Sequence, residues 1–180
     1  MKNLSIIVSS TRPVRVGGAV AAWTRELVDG DWNVTMLDLA EINLPFLDEE
    51  QMAGTGVYAQ PHTLAWKEQV DAADAILVVN AEYNGFPPAP VLNAIDFLYA
   101  EWEDKPMGIV GYGFGGGQRS TTALTQKLTN VKADVVGSVG LYFGKDLETD
   151  ASLHVRDEVA AEVRALSARL ADAVEVDVAA

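Results

Sequence analysis

At 180 residues, with 49% hydrophobic and 22% charged side chains, the chain has the size and balance of one soluble globular domain with a substantial core. A net charge of −13 argues against a nucleic-acid backbone or an anionic membrane surface as partner, and the lack of cysteine excludes disulfides and thiolate metal sites, as expected of a cytoplasmic protein. The two histidines, His62 and His154, are remote in sequence and read as surface residues, so no metal site is expected. Neither a signal peptide nor an apolar run of about 18 residues for a membrane span is visible.

The first run, Ile6-Ile7-Val8, reads as a strand and is followed at once by Ser9, Ser10 and Thr11, by Arg12 and Arg15, and by Gly17-Gly18. Val16, Val20, Trp23 and Leu27 then recur as one face of a helix, which should stop near Asp29-Gly30-Asp31. A strand, a polar loop and a helix in this order aim a helix N-terminus and its free N–H groups into a crevice. The two arginines add planar donor forks that match phosphate. We read the loop as a site for a terminal phosphate; the plainer reading is a solvated surface loop.

Residues 34–39 predict a second strand. Asp38 falls about 20 residues after the glycines, where a dinucleotide-binding fold places its ribose-binding acid. The first turn has no G-x-G-x-x-G, so Asp38 is read as structural. Residues 40–60 show little periodicity and suit a rim or lid. Pro61 opens a helix over 61–74 with Trp66, Val70 and Ala73 inward. Ala75-Ile76-Leu77-Val78-Val79 is a continuous apolar run, as in a central parallel strand covered on both faces.

That strand leads into Asn80-Ala81-Glu82-Tyr83-Asn84-Gly85-Phe86-Pro87-Pro88-Ala89-Pro90, a segment stiffened by its prolines. The next helix carries Val91, Ile95, Leu98 and Trp102 on one stripe, and Phe97, Tyr99 and Trp102 predict an exposed apolar interface. A fourth strand, 107–112, ends in Gly113-Phe114-Gly115-Gly116-Gly117-Gln118-Arg119. These glycines free the backbone to approach a flat ligand or an anion, or simply permit a turn. A helix with Leu124, Leu128 and Val131 inward, a strand over 134–143 and a closing helix with Val155, Val159, Val163, Leu166 and Leu170 complete the chain.

Five strands alternating with five helices predict one α/β domain over 1–173, with 174–180 as a short tail. Such alternation implies a doubly wound five-stranded parallel sheet with helices on both faces. Ligands of such sheets bind beyond the carboxyl ends of the strands. In the flavodoxin-like order 2-1-3-4-5, strands one, three and four are neighbours. Their loops would then converge on one ligand, with a phosphate at the first loop and a planar ring between the other two.

Ser10-Thr11-Arg12-Pro13-x-Arg15-x-Gly17, Glu82-Tyr83-Asn84, Pro88, Asn93-Ala94-Ile95-Asp96 and Gly115-Gly116-Gly117-x-Arg119, in this order and spacing, resemble the NAD(P)H-dependent FMN reductase family from the first strand through the fourth helix. The resemblance implies a flavodoxin-like fold, non-covalent FMN, and NADPH or NADH as co-substrate. It also implies a small-molecule acceptor (a flavin, quinone, azo compound or metal oxyanion) and a homodimer or homotetramer. It places Ser10, Arg12, Arg15, Val16 and Gly17 at the FMN phosphate, and Glu82, Tyr83 and Asn84 along the pyrimidine and N5 side of the ring. Gly115, Gly116 and Gly117 would approach from the neighbouring loop.

The chain departs from the family pattern at four places. Ser9, usually glycine, is expected to add a side chain beside the phosphate. Asn80-Ala81 replaces Thr-Pro or Ser-Pro and is expected to loosen its loop. Phe86 is often serine, and Leu92 usually lysine. No side chain is expected to act as a catalytic base, since the cofactors carry out hydride transfer and the protein orients them. A flavodoxin-type electron carrier and a flavin-free regulatory domain of the same fold remain alternatives.

Overall fold

The computed structural model describes residues 1–28 and 30–178. Its strands are β1 (Lys2–Val8), β2 (Trp32–Asp38), β3 (Ala75–Ala81), β4 (Pro106–Gly113) and β5 (Asp134–Tyr142). Its helices are α1 (Gly17–Glu26), α2 (Leu39–Ile42), α3 (Pro61–Asp71), α4 (Ala89–Asp96), α5 (Gln118–Asn130) and α6 (Asp157–Val178). The strands pair in parallel in the predicted order, β2-β1-β3-β4-β5.

Successive side chains of a strand point to opposite faces, and here both faces are apolar. Leu4, Ile6 and Val8 of β1 join Leu77 and Val79 of β3 beneath Val20 of α1 and Val163, Leu166 and Leu170 of α6. Ile7, Ile76, Val78 and Ile109 pack the other way, against Trp66 of α3, Val91 and Ile95 of α4, and Leu124 and Leu128 of α5. Each buried Val, Leu or Ile contributes about 1.5–3 kcal/mol of transfer free energy. The centre of the sheet is therefore a stiff platform for the loops at its carboxyl edge.

Several boundaries differ from expectation. Helix α1 ends at Glu26, and Asp29, part of the expected stop, lies outside the described residues. Helix α6 continues through 174–178, where a tail is expected, and 179–180 lie outside the described residues. The 40–60 connection contains α2 and a 3₁₀ turn at Ala53–Thr55, and it is tied down. Asn93 donates to the Pro45 carbonyl at 2.7 Å and accepts from the Leu47 N–H at 3.1 Å. The Glu49 carboxylate accepts the N–H groups of Ala59 and Gln60, both at 2.9 Å, and the Tyr58 hydroxyl donates to buried Glu101 at 2.8 Å.

Phe97 and Trp102, expected on an exposed aromatic surface, are buried instead. Helix α4 stops at Asp96 and the chain tightens into a 3₁₀ turn at Ala100–Trp102. Both rings end in the core, each fully buried, and the Trp102 indole N–H donates to the Ile95 carbonyl at 3.1 Å. A buried indole with a satisfied N–H leaves no polar debt in the core. Tyr99 is half-buried.

Candidate functional site

Because β1, β3 and β4 are neighbours, the loops leaving their carboxyl ends meet. The first loop, 9–16, enters α1 at Val16, which makes no side-chain capping bond, and the first turn holds no acidic residue. The first N–H groups of a helix have no intrahelical acceptor. Among the described residues no side chain takes their place, so donors and the positive end of a ten-residue helix face the loop. A Cβ at Gly17 would stand 2.9 Å from the Tyr112 hydroxyl and 3.3 Å from Val8 Cγ1, whereas Gly18 faces open space. Only glycine lets the helix start this close to the sheet.

Buried Ser10 forms the floor of this cradle, its hydroxyl hydrogen-bonded to the phenol of Tyr83 and also to that of Tyr112. Burial pushes the Tyr112 phenol up to about 12, against the opposing effects of the Ser10 bond and the charges of Arg12 and Arg15. Tyr112 thus remains a neutral hydroxyl at neutral pH. The sequence signal for it was slight: a tyrosine closing an apolar strand just before a glycine cluster.

The two arginines differ. Arg12 is exposed, its Cζ 6.0 Å from the centroid of the Tyr83 ring, and it has no ion pair among the described residues. Arg15 is ion-paired with Asp38, the last residue of β2. Asp38 stands in register with Val8, at the root of the loop, and its other oxygen accepts the Ala40 N–H at 3.0 Å to cap α2. The structural reading of Asp38 therefore describes only part of its position, because it also pairs with an arginine of the first loop.

The second loop begins later than expected, because β3 runs through Ala81. Fully buried Asn80 donates to Ser120 Oγ at 2.8 Å, Ser120 Oγ donates to the Ala81 carbonyl at 2.8 Å, and the Ala81 N–H donates to Ser9 Oγ at 3.1 Å. Two expectations are overturned by this network. Ser9 turns its hydroxyl to β3 rather than to the phosphate loop, and Asn80-Ala81 is clamped rather than loose. Beyond it, Tyr83 and Phe86 exchange backbone bonds of 2.9 and 3.0 Å around Asn84 (φ +53°) and Gly85 (φ +86°). This is the tight two-residue turn that Asn-Gly favours. The Glu82 carboxylate folds back to accept the Ser120 N–H at 3.3 Å, at the start of α5.

In the third loop Gly115 is exposed with open space around it, whereas Gly116 lies buried beneath the Tyr142 ring and Gly117 is packed on the backbone of Gly111 and Tyr112. Gly116 and Gly117 shape the turn into α5, leaving Gly115 as the exposed glycine of the three. Phe114, 81% exposed, packs on Phe143 with ring centroids 5.0 Å apart, and Phe86 of the second loop is 61% exposed. Leu92 is half-buried on α4. Among the described residues, no three His, Asp or Glu side chains gather as a metal site.

A five-stranded parallel sheet of this order, with three loops meeting beyond the carboxyl ends of its central strands, defines the flavodoxin-like class of fold. Residues 1–148 match the family of NADPH-dependent FMN reductases, and the chain belongs to that family. An NAD(P)H-dependent FMN reductase of Saccharomyces cerevisiae is 34% identical over 152 residues, which are 77% of this chain and 80% of that protein. An NAD(P)H-dependent FMN reductase of Nectria sp is 29% identical over 170 residues, 90% of this chain and 85% of that one. The structure of the flavoenzyme NAD(P)H:(acceptor) oxidoreductase FerB from Paracoccus denitrificans shares the fold with a TM-score of 0.70 at 21% identity, covering 97% of this chain and 98% of its own. Among the described residues no helix is long and apolar enough to cross a membrane.

Proposed function

We propose that this protein is an FMN-dependent NAD(P)H oxidoreductase that takes hydride from NADPH or NADH and passes it to a small planar acceptor. The observation that carries this reading is the preformed cradle at the start of α1, where uncapped N–H groups, the close approach at Gly17 and exposed Arg12 gather on one loop. This donor set fits the phosphate of FMN: the donors are fixed by the fold, and the cradle carries no carboxylate in the first helical turn. FMN, when bound without a covalent link, supplies the hydride chemistry.

The residues of the chain bind and orient. Ser10, Arg12, Val16 and Gly17 hold the phosphate end, with Arg15 behind them. The Tyr83–Phe86 turn and Gly115 offer backbone to the ring, while Glu82 is engaged at α5 and keeps the second and third loops together. Phe86 and Phe114 put exposed aromatic surface on those two loops, which favours a flat apolar acceptor of the quinone type over a metal oxyanion. The cysteine-free composition supports a cytoplasmic location. Phe46 and Met52, 87% and 80% exposed on the 40–60 connection, support at least a homodimer, which light scattering would register as a mass of at least twice 19.3 kDa.

The deciding measurement is the visible spectrum of the purified protein, before and after adding FMN, followed by anaerobic titration with NADH and NADPH. Bound flavin bleached directly by a nicotinamide is the expected result. Bleaching by dithionite alone would indicate an electron carrier that needs a partner enzyme, and failure to take up FMN would indicate a flavin-free domain.

A further inference from the structure

The first loop meets a counter-anion at the end of the neighbouring strand, where Asp38 closes β2 and pairs with Arg15. Resting on the assignment of the FMN phosphate to this loop, we infer that Asp38 is an intramolecular rival of that phosphate: it neutralises Arg15 and holds FMN affinity below what two arginines would reach.

Three observations carry this. The Arg15–Asp38 pair is largely withdrawn from water, with side chains 22% and 17% exposed, so salt and solvent screen it less than a surface pair. Asp38 is also anchored. One oxygen meets Arg15 and the other accepts the Ala40 N–H at 3.0 Å, so the carboxylate is tied to α2 and cannot swing away when an anion arrives. Finally, its place in the parallel ladder, opposite Val8, sets it where the loop leaves the sheet. Arg12 and Arg15 bring two positive charges to the loop and Asp38 removes one, while a phosphate monoester carries about −1.5 to −2 at neutral pH. The loop thus meets its ligand undercompensated, with Arg12 as its free guanidinium.

Substitution separates rivalry from mere support of the loop. Asparagine caps a helix as well as aspartate, so Asp38→Asn removes the charge and keeps the bond to Ala40. The measurements are FMN and riboflavin dissociation constants by quenching of flavin fluorescence, with thermal melts to confirm folding. Asp38→Asn should tighten FMN by about five- to tenfold, the size of one partly screened charge near the phosphate, and leave riboflavin unchanged. Arg15→Ala should weaken FMN, because Asp38 is then unopposed. The double variant should return to within about threefold of wild type, as expected when opposite charges are removed together. If Asp38→Asn melts too easily to titrate, the double variant must still bind FMN more tightly than Arg15→Ala alone.

A purely supporting pair predicts that both single variants weaken FMN. That result, or equal tightening of riboflavin, would overturn the inference while leaving the oxidoreductase reading intact. Wild-type protein that bound neither flavin would overturn both.

Discussion

The guanidinium of Arg119 occupies the space that a side chain at position 85 would need: a Cβ on Gly85 would lie 2.6 Å from Arg119 Cζ. Glycine is demanded there chiefly by its φ of +86°, which belongs to the left-handed region, whereas the guanidinium end of exposed Arg119 can shift aside. With the Glu82–Ser120 bond, this contact joins the second loop to the start of α5. Gly85→Ala should therefore cost about 1–3 kcal/mol in urea denaturation and weaken FMN binding. Adding Arg119→Ala should recover part of the loss, because the contact is relieved but the backbone strain is not. Wild-type stability in the single variant would show that neither the left-handed backbone nor the contact demands glycine at this position.

At the phosphate end, Arg12→Ala should cost about 1.5–3 kcal/mol of FMN affinity, the scale of a charge-assisted hydrogen bond. Riboflavin affinity should not change, since it has no phosphate to lose. Fluorescence titration of both flavins checks this, and equal affinity of wild type for the two would remove the phosphate from the loop.

The Asn80–Ser120–Ala81 relay predicts a stability effect without a direct flavin contact. Ser120→Ala strips a partner from the buried Asn80 amide and from the Ala81 carbonyl, and Asn80 Oδ1 already has no hydrogen-bond partner among the described residues. Unsatisfied buried groups cost about 1–3 kcal/mol each. A loss of about 2–3 kcal/mol in chemical denaturation is expected, with FMN affinity affected less than in Arg12→Ala.

The strand order and the meeting of three loops were legible because apolar runs such as Ala75–Val79, alternating with helical stripes, leave few arrangements for a parallel sheet. The destinations of polar side chains were not. Ser9 and Asn80 read as loop chemistry because the apolar signal stops at Val79, yet the ladder continues to Ala81 and turns both inward. Arg15 meets its partner 23 residues away, across two strands, and nothing local in the sequence reports that pairing. Phe97 and Trp102 looked exposed because no glycine or proline marks the end of α4 at Asp96, where the chain turns both rings inward.

The Asp146–Arg156 pair sets a pH dependence. Asp146 is fully buried in the connection between β5 and α6, where it accepts from Arg156 Nε at 2.8 Å and Nη2 at 3.1 Å and from the Tyr142 N–H at 2.9 Å. Burial opposes its ionisation, but the Arg156 side chain and the Tyr142 and Arg156 N–H groups outweigh burial and hold the carboxyl below its ordinary range. A folded-state pKa below the unfolded value of about 3.9 means that this carboxylate stabilises the fold above that pH and loses its effect as pH falls through the folded value. Asp146→Asn should therefore melt about 2–8 °C lower than wild type at pH 7, from the loss of charge-assisted bonds. The gap should narrow progressively as pH falls from about 4 toward the folded value, because the unfolded wild-type chain takes up the proton first and the folded carboxylate only at lower pH. Thermal melts of both proteins from neutral to strongly acidic pH check this, and a gap that stays constant across that range would show that the ionised form of Asp146 contributes nothing beyond its packing.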